Sequence, residues 1–287
     1  MQKIRKVIIP VAGYGTRFLP VTKAMPKEMM PIIDKPVIQY VVEEAVESGI
    51  TDIILVTGAA KRAVEDHFDY NYELQSWLKK QGKDELREKI KKIADMANFT
   101  YIRQKGPYGN GTPVLNAAHV IGDEPFAVVW GDEFFTGGKK PRLKQLIETY
   151  EKHQGVILTG MKVDKEGTNR FGIVEPDEKL SKDIWRVKSI TEKPGPKAAK
   201  SNIAAVGGYI LPPEIFTALR KTKRGKGGEI WLVDAISKLN QPMYVKIVDG
   251  TYRDTGTKEA WLKTNIALAL ENKSTKREMK KFIKSLL

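Results

Sequence analysis

The stretch "KVIIPVAGYGTRFLPVTKAMPKEMMPIIDKPVIQY" covers residues 6–40. It leaves a short apolar, β-branched run, "KVIIPVA" (6–12), and enters a helical pattern, "PVIQYVVEEAVESG" (36–49), closed by Gly49. A strand-to-helix connection needs only about two to six residues. The one here runs from Gly13 to Lys35 and holds paired glycines, Pro20, Pro26 and Pro31, and the cations Arg17, Lys23 and Lys27. Folding alone does not demand such a loop. Glycine lets backbone approach a ligand closely, and successive N–H groups form an anion cradle. Proline stiffens the loop and suppresses helix, which fixes its cations at set points and lowers the entropy lost on binding. Residue by residue, an ordinary solvated surface loop fits as well. The order strand, GxGTR, PKEM favours a binding loop.

Outward from this loop the chain repeats one rhythm. "DIILVTG" (52–58), "FTYIRQ" (99–104), "FAVVWGD" (126–132) and "GVILTGMKV" (155–163) read as buried strands. Helical periodicity fills 61–80 and 141–153. This alternation predicts an α/β fold, a Rossmann-like doubly wound sheet, mostly parallel but mixed. After about residue 165 the rhythm changes. "RFGIVEP", "IWRVKSITEK" and "AAVGGYIL" crowd together as a small antiparallel subdomain, followed by helices, the strand "MYVKIVDG" (243–250) and a terminal helix from about 257. The expected organisation is one domain over 1–287, with a core at about 1–165 and a second part at about 166–287.

Composition sets the outer limits. A chain of 287 residues with 41% hydrophobic content buries a substantial core. No apolar run reaches about 18 residues, so no membrane partner is expected, and the N-terminus reads as a first strand and not a signal peptide. Cysteine is absent, which removes disulfides, thiolate catalysis and Cys-ligated metals and fits a cytoplasmic protein. The 49 Lys+Arg against 35 Asp+Glu give a formal charge of +14, an attraction for polyanions. Much of the excess lies at 79–92 and 272–287, which read as solvated helix faces. No interleaved aromatics accompany them, so nucleic acid is not an expected partner.

The glycine loop fits neither familiar phosphate motif. A dinucleotide fingerprint would need glycine where Phe18 stands, and the Gly-Lys-Ser/Thr of a P-loop is absent. The pattern "AGYGTRFLPVTKAMPKEMMPIIDKPVIQYVVEEAVESGI" instead closely resembles the sugar-1-phosphate nucleotidylyltransferase family. The similarity continues through "DIILVTG", "EDHFDYNYEL", "RQKGPYGNGTPVLNAAHVIGDEPFAVVWGDE", "NRFGIVEP", "ITEKP", "SNIAAVGGYIL", "GGEIWLVDAI" and "RDTGT". That is nearly the whole chain. "TKAMPKEMMPIIDKP" is most similar to the uridylyl-transferring branch.

The resemblance implies an enzyme in which a sugar 1-phosphate oxygen attacks the α-phosphorus of a nucleoside triphosphate. UTP and α-D-glucose 1-phosphate are the implied partners, Mg²⁺ the cofactor, and a homodimer or homotetramer the assembly. It implies Arg17 and Lys27 on the triphosphate and Lys193 on the sugar phosphate. Asp132 and Asp254 are implied as metal ligands. Ala12, Gly13, Gly15, Glu28, Gln104 and Gly109 are implied on the nucleotide; Gly172, Glu192 and Asn202 are implied on the hexose. The nucleophile is already anionic, because a second phosphate pKa is about 6, so no general base is needed. His67, His119 and His153 are accordingly read as surface or packing residues. A Gln amide pairs with thymine as well as with uracil, and the family's Gly-Leu-Gly-His stretch is replaced here by "GNGTP" (109–113). A thymidylyltransferase using dTTP, and a catalytically silent regulatory paralogue, stand as alternatives.

Overall fold

The computed structural model describes residues 2–286. Nine strands form the main sheet: β1 (Lys6–Pro10), β2 (Asp52–Thr57), β3 (Asn98–Arg103), β4 (Phe126–Val128), β5 (Val156–Lys162), β6 (Gly172–Lys179), β7 (Ile184–Glu192), β8 (Ile203–Leu211) and β9 (Met243–Ile247). Their spatial order is β3-β2-β1-β4-β8-β5-β9-β7-β6. β1 to β4 pair in parallel, as do β5 and β9. β8 and β7 run against their neighbours. The result is the mixed, doubly wound sheet that the alternating pattern predicts.

The winding follows from the two-residue period of the strands. Val7, Ile9, Val11, Ile53 and Leu55 face one layer with Val37, Val41 and Ala45 of helix Val37–Glu47 and Leu143, Leu146 and Ile147 of helix Arg142–His153. Ile8, Ile54, Val56, Phe126 and Val128 face the other, against Val114, Ile215, Leu219 and Leu232. Both faces are covered, so the central strands carry unbroken apolar runs, Val7–Ile9 and Ile53–Val56, instead of alternating with polar residues.

The sheet also curls. β6 pairs with β7 along its length, and through Gly172 and Ile173 it pairs with Ala205 and Ala204 of β8. With β8–β5, β5–β9 and β9–β7 already joined, five strands close a ring. One edge of β8 is therefore shared: Tyr209–Leu211 pair with β4, and the opposite end pairs with β6.

Three elements end earlier than the pattern suggests. The helical stretch 61–80 splits into Arg62–Phe68 and Tyr72–Lys80, because the Asn71 carboxamide accepts from the Leu74 N–H and caps a new helix. The terminal helix divides into Lys258–Glu271 and Lys276–Leu286. β4 stops at Val128, so Asp132 lies beyond the strand that was expected to carry it. Across from it, the β8–β5 register shifts between Val206 and Tyr209. The Gly207–Gly208 bulge makes room there for Trp130 and Glu133, since a Cβ on Gly207 would sit 1.9 Å from both Trp130 Cδ1 and Glu133 Oε1. Gly207→Ala should therefore lower unfolding stability by about 1–3 kcal/mol, the range for overpacking a filled core, as read from urea denaturation. A loss inside measurement error would mean that the bulge is not sterically fixed.

Candidate active site

The glycine loop runs off the carboxyl end of β1, where open α/β sheets bind ligands. Gly15 is left-handed (φ +67°), and its carbonyl accepts from the Thr22 hydroxyl at 2.8 Å. Lys27 lies along this loop: a Cβ on Gly15 would approach Lys27 Cβ at 3.2 Å, and one on Gly13 would approach Lys27 Cε at 3.8 Å. The lysine ends on Asp132, to whose Oδ2 its ammonium donates. Burial works against the Lys27 charge, but Asp132 and Glu28 outweigh it and hold the ammonium above the ordinary lysine range.

A short ribbon sets the two carboxylates side by side. Glu133–Thr136 pairs antiparallel with Thr251–Asp254, with Asp254 opposite Glu133. Thr255 then clamps the corner, its N–H and hydroxyl both donating to the Asp132 carbonyl at 3.1 and 2.6 Å. Asp254 does not cap the following helix. Thr257 does, accepting from the Ala260 N–H, while Asp254 Oδ1 accepts from the Gly256 N–H at 2.7 Å. Gly256 marks the centre of the constellation: a Cβ there would lie 3.2 Å from Asp254 Oδ1, 3.5 Å from Asp132 Oδ2 and 3.7 Å from Arg17 Nη1. Arg17 also donates to the Gly256 carbonyl at 3.4 Å. Arg17, Lys27, Asp132 and Asp254, drawn from three distant stretches of sequence, thus meet at one point.

The remaining candidates lie in several separate places. Gly172 and Glu192 are paired across β6–β7, and a Cβ on Gly172 would come within 3.1 Å of Glu192 Oε2. Lys193 follows in a positive-φ turn (46°), its N–H donating to the Phe171 carbonyl and its ammonium 3.5 Å from Glu192 Oε1. Next to Phe171, Arg170 reaches Asp254 Oδ2 at 3.2 Å; this links the Lys193 turn to the carboxylate pair. Asn202, by contrast, touches its surroundings through backbone, accepting from Val163 N–H, and is exposed. Ala12 and Gln104 flank the end of β2, where a Cβ on Gly58 would be 3.1 Å from the Ala12 carbonyl and the Gln104 N–H donates to Thr57. Gly109 has φ +118° and lies against Ile230, whose carbonyl would be 2.3 Å from a Cβ.

Glu28 follows Lys27 on the same loop and is buried beside it. It is 1% exposed, and Lys61, itself 4% exposed, donates to it at 2.7 Å. Burial pushes its carboxyl upward despite Lys61 and Lys27. The histidines lie outside the constellation: His67 bonds to Gln39, His119 to the Asn116 carbonyl, and His153 packs on Tyr244.

Beneath the carboxylates is a layer the sequence did not announce. Arg142 is fully buried and binds Glu44 through Nε and Nη2 at 2.9 and 3.0 Å; Nη1 donates to the Gly207 carbonyl and lies 3.7 Å from Glu133 Oε1. The Tyr252 hydroxyl donates to Glu133 Oε2 at 2.5 Å. Burial drives Glu133 up to about 8, with Arg142 and Tyr252 only partly opposing it.

The sequence pattern of the nucleotidyl transferases matches residues 6–271. A Bacillus subtilis (strain 168) protein named UTP–glucose-1-phosphate uridylyltransferase is 48% identical over 100% of this chain and 98% of its own length. Among solved structures, a UTP-bound UGPase from Acinetobacter baumannii is similar with a TM-score of 0.92 at 36% identity, over 99% of this chain and 100% of that one. A UDP-glucose pyrophosphorylase complexed with UDP-glucose is similar with a TM-score of 0.84 at 37% identity, over 94% of this chain and 100% of that one.

Removing the cation under the site should be costly. Arg142→Met leaves the Glu44 carboxylate buried without its partner, and breaking a buried pair in this way costs about 3–5 kcal/mol. Urea unfolding followed by circular dichroism reads the loss. A change below about 1 kcal/mol would mean that Arg142 is a passenger in the core.

Proposed function

We propose, from the premise that this chain belongs to the nucleotidyl transferase family, that it transfers UMP from UTP to α-D-glucose 1-phosphate, yielding UDP-glucose and pyrophosphate. The observation that carries the reading is the convergence of Arg17, Lys27, Asp132 and Asp254 around Gly256. Two anionic substrates must touch, and two like charges 4 Å apart repel by about 4 kcal/mol at an effective dielectric near 20. Positioned cations offset that repulsion without reorganising during the reaction. In this reading Arg17 and Lys27 hold the triphosphate and take up charge as pyrophosphate leaves. Lys193 grips the sugar phosphate, whose oxygen attacks the α-phosphorus and needs no base.

Recognition follows the same division. Backbone at Ala12, Gly13, Gly15 and Gly109 surrounds the nucleotide, with Gln104 reading the base and Glu28 supporting the loop from below through Lys61. The hexose meets Glu192, a carboxylate able to accept from two vicinal hydroxyls, with Asn202 beside it. Gly172 leaves space in front of Glu192 that a side chain would fill. Residues up to about 165 then serve mainly the nucleotide, and the rest mainly the sugar, within one domain.

The carboxylate pair suits Mg²⁺. Among the described residues no group of three His, Asp or Glu side chains could hold a metal; in this reading the protein contributes the two carboxylates of Asp132 and Asp254. A hard cation bound by one or two carboxylates and completed by substrate phosphates and water matches that donor set. When bound, it would neutralise phosphate charge as a Lewis acid. No helix among the described residues is long and apolar enough to cross a membrane. A cytoplasmic homodimer or homotetramer completes the proposal.

Arg17→Ala should depress kcat by about 10²–10³, the loss typical for one transition-state donor. Lys193→Ala should chiefly raise KM for glucose 1-phosphate, by about tenfold. Both are read by pyrophosphate release, and effects within about twofold for both would remove the electrostatic basis of the reading. The same assay across UTP, dTTP, ATP and GTP should rank UTP first. Preference for dTTP would replace the uridylyl assignment with a thymidylyl one.

A further inference from the structure

Two tyrosines at the mouth of the nucleotide site have no part in the chemistry above. Tyr14 stands between Gly13 and Gly15, and Tyr108 directly precedes Gly109. Their rings lie 5.7 Å apart at 48°, and the Tyr108 hydroxyl donates to the Tyr14 hydroxyl. Both remain more than half exposed. The contact joins two loops that are 94 residues apart in sequence, one carrying the phosphate-binding candidates and the other the base-reading candidates.

The two banks differ in stiffness. Tyr108 sits on a fixed support: its carbonyl accepts from the Ile230 N–H at 3.0 Å, the Gly111 N–H donates to the Ile230 carbonyl at 2.9 Å, and the Asn110 carboxamide accepts from the Leu232 N–H at 2.7 Å. Tyr14 has a glycine on each side, so its own segment is the softer one. A hydroxyl bridge from the soft bank to the fixed bank sets the glycine loop at one distance from the base-reading loop. That spacing is what a nucleotide held at both its base and its phosphates requires.

We propose that Tyr14 and Tyr108 are nucleotide-positioning residues, whose paired hydroxyls tie the glycine loop to the base-reading loop across the bound nucleoside triphosphate. This rests on the uridylyl-transfer reading and adds to it the determinant of nucleotide affinity. The rings alone do not suffice, because Phe at either position keeps the packing and loses the bridge.

The test is a double-mutant cycle with Tyr14→Phe, Tyr108→Phe and the pair, in the full chain with magnesium present. UTP affinity is measured by calorimetry, and KM and kcat by pyrophosphate release. One lost hydrogen bond corresponds to about two- to tenfold in an equilibrium constant. Each single variant should weaken UTP binding and raise its KM by that factor, with kcat and the KM for glucose 1-phosphate little moved. The double variant should be no worse than either single one, since both remove the same bond. Unchanged UTP affinity, or losses that multiply in the double variant, would overturn the clasp while the enzyme assignment stands. A wild-type chain that binds no nucleoside triphosphate would overturn both.

Discussion

The guanidinium of Arg142 is the constraint on which the rest hangs. It is a full charge with no exposed surface, tolerated because Glu44 meets it along two hydrogen bonds and the Gly207 carbonyl accepts a third. Those partners come from a helix on one face of the sheet and from the bulge in β8. A buried charge of this kind allows one arrangement, because each misplacement leaves a charge unpaired in a medium that penalises it heavily. The bulge in turn fixes Trp130 and Glu133, and Glu133 fixes where the ribbon carrying Asp132 and Asp254 must run. The geometry at the surface is thus inherited from a salt bridge below it.

Much of the scaffold was legible because it obeys simple periods. "KVIIPVA" and "DIILVTG" carry unbroken apolar runs, Val7–Ala12 and Ile53–Val56, which fits strands covered on both sides, and Gly49 does sit at positive φ just past helix Val37–Glu47. The boundaries that failed were decided by contacts that the helical and strand periods do not encode. Asn71 caps a helix in the middle of an unbroken helical pattern, and β4 ends three residues into "FAVVWGD" because its neighbour bulges. The first of these had a signal, an Asn before a helical run. The second depends on a strand some eighty residues downstream and could not be read locally.

The site divides the same way. Arg17 and Lys27 stood out because a stiff, glycine-bearing loop with cations has little structural reason to exist. Gly256 did not, since a glycine between two threonines after an aspartate reads as a turn; its role appears only when Asp132, Asp254 and Arg17 are seen to crowd the space a Cβ would take. Arg142 was invisible for another reason. An arginine at the start of "PRLKQLIETYEKH" looks like a solvated first-turn residue, and only Glu44, 98 positions earlier, shows otherwise. Glu28, inside the most telling motif, is buried and accepts from Lys61, a contact that its position in the motif does not announce.

The closed ring of β8, β5, β9, β7 and β6 bears on how such a protein can change. Both sheet partners of β5 arrive after residue 165, and β9, nearly the last strand in the chain, is wedged between β5 and β7. A cut at the apparent seam between the two halves would orphan hydrogen-bonding edges on both fragments. Transplanting the later half onto a different N-terminal half therefore does not move a self-contained cartridge. If Gly172 and Glu192 face the hexose as proposed, new sugar preferences would come by point replacements inside an intact hoop and not by recombination of modules.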